Sequence, residues 1–337
     1  MKTFSYDTQI ASSPSVVAEL IGGRQLPDLD PSRPILFSGI GTSLHAARVA
    51  AEWVARLSGG AVRPLAIDAH DLGTTAPITP ADQVVVISHR GYKLFPNASL
   101  ERARTAGALT IAITGRAAPE QRADHTVRTC ENETAGTFSV SYLASLTVLA
   151  RIASSFEADP SRPFGKALVR LPDGISRTLS FGLPSALVQR LSTAEVLLLF
   201  GFGIDLTTAQ EAALKIKEGA WMWTEAMGPE FALHGTPASY RPGMGCVLIE
   251  PGEDDYGRTA VLRRVMKELG TKVIANCGEG PDAELRFVSP YPLLRPFTAI
   301  LPFHHLTAGL ARLRGTDPDT LHGHREPWKA VMTGLRL

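Results

Sequence analysis

Three charged side chains in the segment TTAQEAALKIKEGAW, Glu211, Lys215 and Glu218, recur at spacings of four and three. A helix through them carries all three on one face. Such a stripe is ordinarily a solvated face with a favourable Glu–Lys pair. Carried inward beside a cleft, one of its carboxylates is a candidate base. Sixteen residues after Glu218, His234 stands in the irregular segment PEFALHGTPAS, where a histidine is a surface or capping residue unless a site recruits it.

Two further segments suit anion binding. In SGIGTS, residues Gly39, Gly41, Thr42 and Ser43 form a small-residue turn before a helix expected to begin near Leu44. The unpaired amides and dipole of a helix N-terminus stabilise negative charge, although Thr and Ser there also serve as plain N-caps. The second segment, Ser88, His89, Arg90, Gly91, Tyr92 and Lys93, ends an apolar strand and holds two cations. Arg90 has the fork that grips an oxyanion bidentately; otherwise the loop is solvated and basic. A dinucleotide site is not expected, because GIGTSL lacks the third glycine of GxGxxG. His304, His305, His322 and His324 invite a metal reading, but no HExxH pattern accompanies them, so no metal and no cofactor are expected. Lys329, in the turn-rich tail, reads locally as a surface lysine.

Positioning these residues falls to elements that recur. A shift of 162 residues sets Gly39 on Gly201, Gly41 on Gly203 and Ala47 on Ala209. The same shift lays QVVVIS on GCVLIE, ASLERARTAGA on AVLRRVMKELG, LTIAIT on TKVIAN with Ile111 on Val273, and SYLASLTVLARIA on FHHLTAGLARLRG. Each half reads strand, helix, strand, helix, strand, further strand, helix. Continuous apolar strands alternating with helices predict an α/β fold with a doubly wound parallel sheet in each half. Prolines 160, 163 and 172 interrupt any periodic element, placing the seam near Pro160 to Gly165, with subdomains at 1–162 and 163–337. In such sheets ligands sit beyond the carboxyl ends of the strands, which directs attention to SGIGTS and ISHRGYK.

Composition narrows the partners. With 34 Lys plus Arg against 33 Asp plus Glu the net charge is +1, so bulk charge points to neither nucleic acid nor membrane. At 44% hydrophobic and 20% charged residues, disorder and collagen-like repeats are excluded. Cys130, Cys246 and Cys277 form an odd set without CxxC pairing, which suits a reduced cytoplasm. The opening MKTFSYDTQIASSPSVVAELIGG has no signal-like apolar stretch, and no apolar run of ~18 residues occurs. A soluble, untargeted, cytoplasmic protein is expected.

Together these segments resemble the sugar isomerase (SIS) family, especially the isomerase half of glucosamine-6-phosphate synthase and its standalone relatives. The resemblance runs from about Ile35 to Val331 and is carried by GIGTS, VVVIS with the following Gly91, ENETAG before LTVLARIA, EAALKIKE, EFALHGTP, GTDPD and REPWK. The block from Glu211 to Pro237 is the most specific. The resemblance implies two tandem SIS subdomains of five strands each, each a three-layer sandwich, a homodimer with the site near its interface, and aldose–ketose chemistry on phosphorylated sugars or amino sugars. By motif position Glu218 resembles the base that moves a proton between C1 and C2. His234 resembles the ring-opening residue that reaches across from a partner subunit. Lys215 then supports the sugar or Glu218, and Lys329 resembles the lysine that closes over open-chain substrate. Gly41, Thr42, Ser43, Ser88, His89, Arg90, Gly91, Lys93, Glu133 and Ser139 become the expected substrate-binding set.

Residue 2 is lysine, so neither a nucleophilic cysteine nor a glutaminase half is expected, nor amide-nitrogen transfer from glutamine. That leaves an isomerase, or a deaminase or deglycase using the same ene-diol or enolamine intermediate. Where the family has SxSGxT, this chain has Ser88, His89, Arg90, Gly91, Tyr92 and Lys93, and a VASTK-like stretch is replaced by Thr137, Phe138, Ser139 and Val140. The anion is then gripped by charge in place of hydroxyls, or is not the usual sugar 6-phosphate. The competing expectation from another class is a noncatalytic sugar-phosphate sensor; no helix-turn-helix or basic stripe precedes the first strand, which argues against a DNA-binding repressor.

Overall fold

A computed structural model describes residues 2–159, 161 and 163–335. The chain opens with α1 (Ser5–Ile21), followed by β1 (Ile35–Gly39), α2 (Thr42–Leu57), β2 (Leu65–Asp68), α3 (Ala69–Thr74), β3 (Gln83–Ile87), α4 (Leu94–Thr105), β4 (Leu109–Thr114), β5 (His125–Arg128) and α5 (Val140–Ser154). Three helices follow, α6 (Phe164–Leu168), α7 (Leu171–Ser180) and α8 (Ser185–Ser192). Next come β6 (Val196–Phe200), α9 (Ile204–Ala220), β7 (Thr224–Met227), α10 (Pro229–Leu233), β8 (Met244–Ile249), α11 (Arg258–Glu268), β9 (Val273–Gly278) and β10 (Leu285–Arg286). The last helices are α12 (Arg295–Ala299), α13 (Leu301–Arg314) and α14 (Trp328–Gly334). Pro160 and Arg162, within the expected seam, lie outside the described residues.

The strands form two five-stranded sheets, in the orders β2-β1-β3-β4-β5 and β10-β9-β8-β6-β7. Every pairing is parallel. Strands β1, β3 and β8 are buried along their whole length, as continuous apolar runs covered on both faces must be. Helix α5 is buried nearly all round, so it packs as a core helix without a solvent face. This is the α/β architecture the alternation predicts.

The pairing register shows how far the 162-residue shift holds. Leu36 pairs with Val84 in the first sheet, and the shifted residues Leu198 and Cys246 pair in the second. At the next strand the register moves: Val85 pairs with Ile111, but Val247 pairs with Ala275, two positions beyond the expected Val273. A slip of two keeps each side chain on its own face, because the strand period is two. Strands β2 and β7, with the short helices after them, are additions to the expected order. LAID and TEAM are four-residue edge strands, LAID without a buried residue and TEAM buried only at its two ends, and carry no continuous apolar run to announce them.

By contacts the chain forms two compact units. One contains the second sheet with the residues through Ala11, Thr134–Thr137 and Asp173–His322; the other contains the first sheet with Ser12–Glu133, Phe138–Pro172 and the residues from Gly323 on. The expected division is a single cut at 162/163. In the unit of the second sheet, Asp319 caps α1 by accepting from the amides of Ser5 and Tyr6 at 2.8 and 3.0 Å, so the GTDPD turn anchors the helix that opens the chain. All three cysteines are buried and unpaired. Burial pushes the thiols of Cys130 and Cys246 up to about 12, which leaves them inert as nucleophiles. Among the described residues no helix is long and apolar enough to cross a membrane.

Candidate active site

The two GxG turns are built alike. Gly41 and Gly203 have φ of 55° and 57° with ψ of −123° and −131°, a backbone region closed to residues with a Cβ. Gly39 and Gly201 are required by close approach: a Cβ there would lie 2.6 Å from Ser43 and 2.2 Å from the Asp205 carbonyl oxygen. Each turn ends a strand and starts a long helix. Helix α2 begins at Thr42, two residues before the expected start, which puts Thr42 and Ser43 in its first turn.

Beyond that shared backbone the turns differ. In the second, the buried Asp205 carboxylate accepts from Arg295 Nε at 2.8 Å. Arg295 also donates to the Glu250 carbonyl at 2.6 Å and to Glu279 at 3.0 Å. The first turn of α9 thus carries the chain's own carboxylate, paired with Arg295. In the first turn the 162-residue shift places Ser43 opposite Asp205. The sequence signal was present in FGIDL, whereas nothing in the sequence singled out Arg295.

Helix α9 carries Glu211, Lys215 and Glu218 on one face, and that face is turned inward. Glu211 is fully buried and Lys215 is 1% exposed. The Lys215 ammonium lies 2.6 Å from Glu218 Oε2 and 3.6 Å from Glu211 Oε1. Glu218 alone of the three is reachable, at 28% side-chain exposure. A carboxylate held by a buried ammonium from behind and open in front is placed to exchange a proton with a bound molecule. Behind the stripe, His304 on α13 is fully buried edge-on to Tyr6, with ring centroids 5.9 Å apart.

His234 caps the C-terminus of α10 and is exposed. Its Nε2 meets Glu230 at 2.5 Å, and Glu230 in turn accepts from Arg258. The Arg258 guanidinium first, then His234, holds the Glu230 carboxyl below its ordinary range. An imidazole fixed by a carboxylate presents its remaining nitrogen in one direction.

In the unit of the first sheet, the loop after β3 turns at Gly91, whose φ is 67° and whose amide donates to the Ser88 carbonyl at 3.0 Å. A Cβ at Gly91 would lie 2.7 Å from Gln121. His89 is 6% exposed, packed edge-on to Phe138 at 5.5 Å. Burial first, then the Arg90 charge, lowers its pKa to about 4. The Arg90 guanidinium lies 5.1 Å from the Phe138 ring centroid and donates to the Tyr92 hydroxyl at 3.1 Å. Lys93 lies 5.8 Å from the Tyr92 ring. Among the described residues neither Arg90 nor Lys93 has a carboxylate partner. Two uncompensated cations at the carboxyl end of a parallel sheet attract an anion.

Glu133 and Ser139, both expected to bind substrate, are joined to each other at the start of α5. The buried Glu133 carboxylate accepts from the Ser139 amide at 2.9 Å, the Ser139 hydroxyl at 3.1 Å and the Ser141 amide at 2.7 Å. It caps α5, and no local spacing rule foretold a cap from six residues upstream. Lys329 is exposed on α14. Among the described residues no group of three or more His, Cys, Asp or Glu is arranged to hold a metal ion.

The comparisons bear on this arrangement. The SIS domain family model matches residues 28–154. This segment is a SIS domain. Across the chain, the two parallel sheets match the fold of the C-terminal domain of glucosamine-fructose-6-phosphate aminotransferase from Francisella tularensis, with a TM-score of 0.81 at 18% identity, covering 94% of this chain and 98% of that one. Glucosamine-6-phosphate deaminase from Thermotoga maritima aligns with a TM-score of 0.74 at 18% identity, covering 94% and 97%. Tagatose-6-phosphate ketose/aldose isomerase from Escherichia coli gives 0.72 at 17%, covering 94% and 95%. In sequence, glutamine–fructose-6-phosphate aminotransferase of Leifsonia xyli is 26% identical over 92% of this chain and 56% of its own length. The chain spans about half the length of the curated relatives it matches. Of the expected residues, the SIS unit brings together the β3 loop and the first turn of α2 at the carboxyl end of its own sheet, and α9 joins Lys215 to Glu218.

The two buried histidines set a pH dependence for stability. Burial lowers His89 to about 4 and His304 to about 3, from 6.5. Between those values and 6.5 the unfolded chain binds protons that the folded chain does not, so stability is complete above 6.5 and falls as the pH drops. Each histidine is expected to cost about 1.4 kcal/mol per pH unit in that window. Urea unfolding at about pH 7 and about pH 5 checks this, and His304→Leu is expected to remove its share of the slope.

Proposed function

We propose that the chain is a sugar isomerase-type enzyme that interconverts aldose and ketose forms of an anionic sugar or amino sugar, or releases an amine from one, through an ene-diol or enolamine intermediate. The observation that carries this is the Lys215–Glu218 contact of 2.6 Å, with the lysine buried and the carboxylate open. In the forward step the Glu218 carboxylate takes the proton from C2 of an open-chain aldose; the C2–H electron pair becomes the C1–C2 double bond and the carbonyl pair moves to O1, which takes up the proton of the C2 hydroxyl. The protonated carboxyl then returns its proton to C1 as the O2 electrons close the C2 carbonyl, giving the ketose. One group on one face suffices, since the same oxygen removes and delivers the proton. Lys215 orients that oxygen, and Glu211 balances the ammonium. His234, held by Glu230, opens the sugar ring from a second copy of the chain in a homodimer, and Lys329 closes over the open form. The relatives support the substrate class by their names alone: they act on fructose-6-phosphate, glucosamine-6-phosphate and tagatose-6-phosphate.

In this reading the substrate anion rests on the first turn of α2 and the β3 loop, gripped by Arg90 and Lys93 where a hydroxyl-lined loop is the family habit. Arg90→Ala is expected to weaken substrate binding by about 1–3 kcal/mol with a smaller effect on turnover, the scale of a charge-assisted hydrogen bond. Michaelis constants of the two proteins measure it, and an unchanged KM assigns Arg90 to solvated surface. The activity itself is tested by carbon-13 NMR of C2-labelled hexose, hexosamine and fructosamine phosphates incubated with the protein. Appearance of the paired ketose or aldose, or of free amine, supports the proposal. Binding without conversion across the panel contradicts it and leaves a noncatalytic sugar-phosphate binder.

A further inference from the structure

A cavity of about 920 Å³ opens beside the free edge of β5, between that strand and the C-terminal end of α1. Its walls carry four arginines, Arg24, Arg116, Arg128 and Arg151, against one carboxylate, Glu19. Of these, among the described residues, Arg116 alone meets carboxylates, pairing with Glu19 and with Glu131. Arg151 donates to the carbonyls of Leu20, Gly23 and Arg24 at 2.9, 3.1 and 2.7 Å. Arg128 donates to Thr114 Oγ1 and to the carbonyls of Gly115, Ala118 and Pro119 at 3.2, 3.1, 2.6 and 3.2 Å. Neutral oxygens fix these two guanidiniums without cancelling their charge, and Arg24 has no carboxylate partner among the described residues. The surplus positive charge is therefore held in a concave wall, which concentrates its field on whatever enters. The size suits a small metabolite.

We propose that this cavity binds a small phosphorylated anion, clear of the loops after β1 and β3. Arg128 and Arg151 supply fixed charge at the wall, and the exposed Arg24 and Arg116 close on the phosphate oxygens, with Arg116 leaving Glu19 to do so. A doubly charged tetrahedral group uses guanidinium donors arriving from several directions, which a single carboxylate does not. The segment that carries Arg116 also supports the β3 loop: the Gly115 amide donates to the His89 carbonyl at 2.8 Å, and Gln121 donates to the Gly91 carbonyl at 3.0 Å. The proposal does not depend on the enzymatic reading above.

The test uses inorganic pyrophosphate as probe and isothermal titration of the full chain carrying Arg90→Ala and Lys93→Ala, so that the β3 loop is silenced. Binding at one equivalent is expected there, weakened about tenfold or more by adding Arg24→Ala and Arg116→Ala. Both arginines are exposed, and an unchanged thermal midpoint confirms that the fold is retained. Glu19→Gln removes the lone wall carboxylate and is expected to tighten binding, a gain that misfolding does not produce. No binding in the silenced chain, binding indifferent to the loss of Arg24 and Arg116, or no tightening with Glu19→Gln overturns the proposal.

Discussion

Glu218→Gln is expected to lower turnover at least ~10²-fold while leaving substrate affinity near that of the parent, the scale for loss of a general base. The substitution is close to isosteric, and the amide oxygen still accepts from the Lys215 ammonium 2.6 Å away. Position and packing are therefore kept, and what disappears is the ability to take a proton. Because Glu218 is partly exposed, its replacement leaves no buried cavity to confuse loss of chemistry with loss of fold. Steady-state kinetics on whichever sugar phosphate is converted measure the effect, with kcat falling and KM moving little. An unchanged kcat removes Glu218 from the reaction.

The second large effect is on stability. Lys215→Met is expected to destabilise the chain by about 3–5 kcal/mol, the range for breaking a buried ion pair from one side. Lys215 is 1% exposed and Glu211 fully buried, so removing the ammonium leaves Glu211 without this counter-charge in the core. Methionine fills nearly the same volume, which confines the loss to electrostatics and not to a cavity. Pairing the change with Glu211→Gln is expected to restore most of the stability, since the buried charge goes with its partner. Activity is not expected to return, because Glu218 has then lost the group that orients it. Urea unfolding of the two variants separates the terms. Equal destabilisation by the single and the double variant contradicts this account of the stripe.

Much of this arrangement was legible from residue order. Continuous apolar runs named β1, β3, β6 and β8 because strands covered on both faces have no polar positions to hide. The i, i+4, i+7 spacing placed Glu211, Lys215 and Glu218 on one face, although periodicity alone does not tell an inward charged face from a solvated one. Burial decided that question. The strands β2 and β7 escaped notice because short edge strands need no apolar run. The two-position drift at β9 was invisible because a slip of two preserves the alternation that sequence reading relies on.

The site was harder to read where long-range partners define it. Arg295 meets Asp205 across 90 positions of sequence, and Glu133 caps a helix that begins beyond a turn; neither follows a local rule. His304 reads as one of several histidines available to a metal, yet it is a neutral ring in the core, held so by burial. The β3 loop was legible in composition, since Arg90 and Lys93 stand out among small residues. That both lack a carboxylate neighbour, and that Arg90 lies against Phe138, needed the fold.

Proton NMR in heavy water reads proton loss at C1 and C2 itself. The chain and its Glu218→Gln variant are incubated with hexose, hexosamine and fructosamine compounds, each with and without phosphate, and the C1 and C2 proton signals are followed. Loss of one of those signals with the parent chain, and its persistence with Glu218→Gln, is the result predicted here. Signals that persist with the parent chain across the panel, while the same compounds still raise its thermal midpoint, contradict enolisation at Glu218.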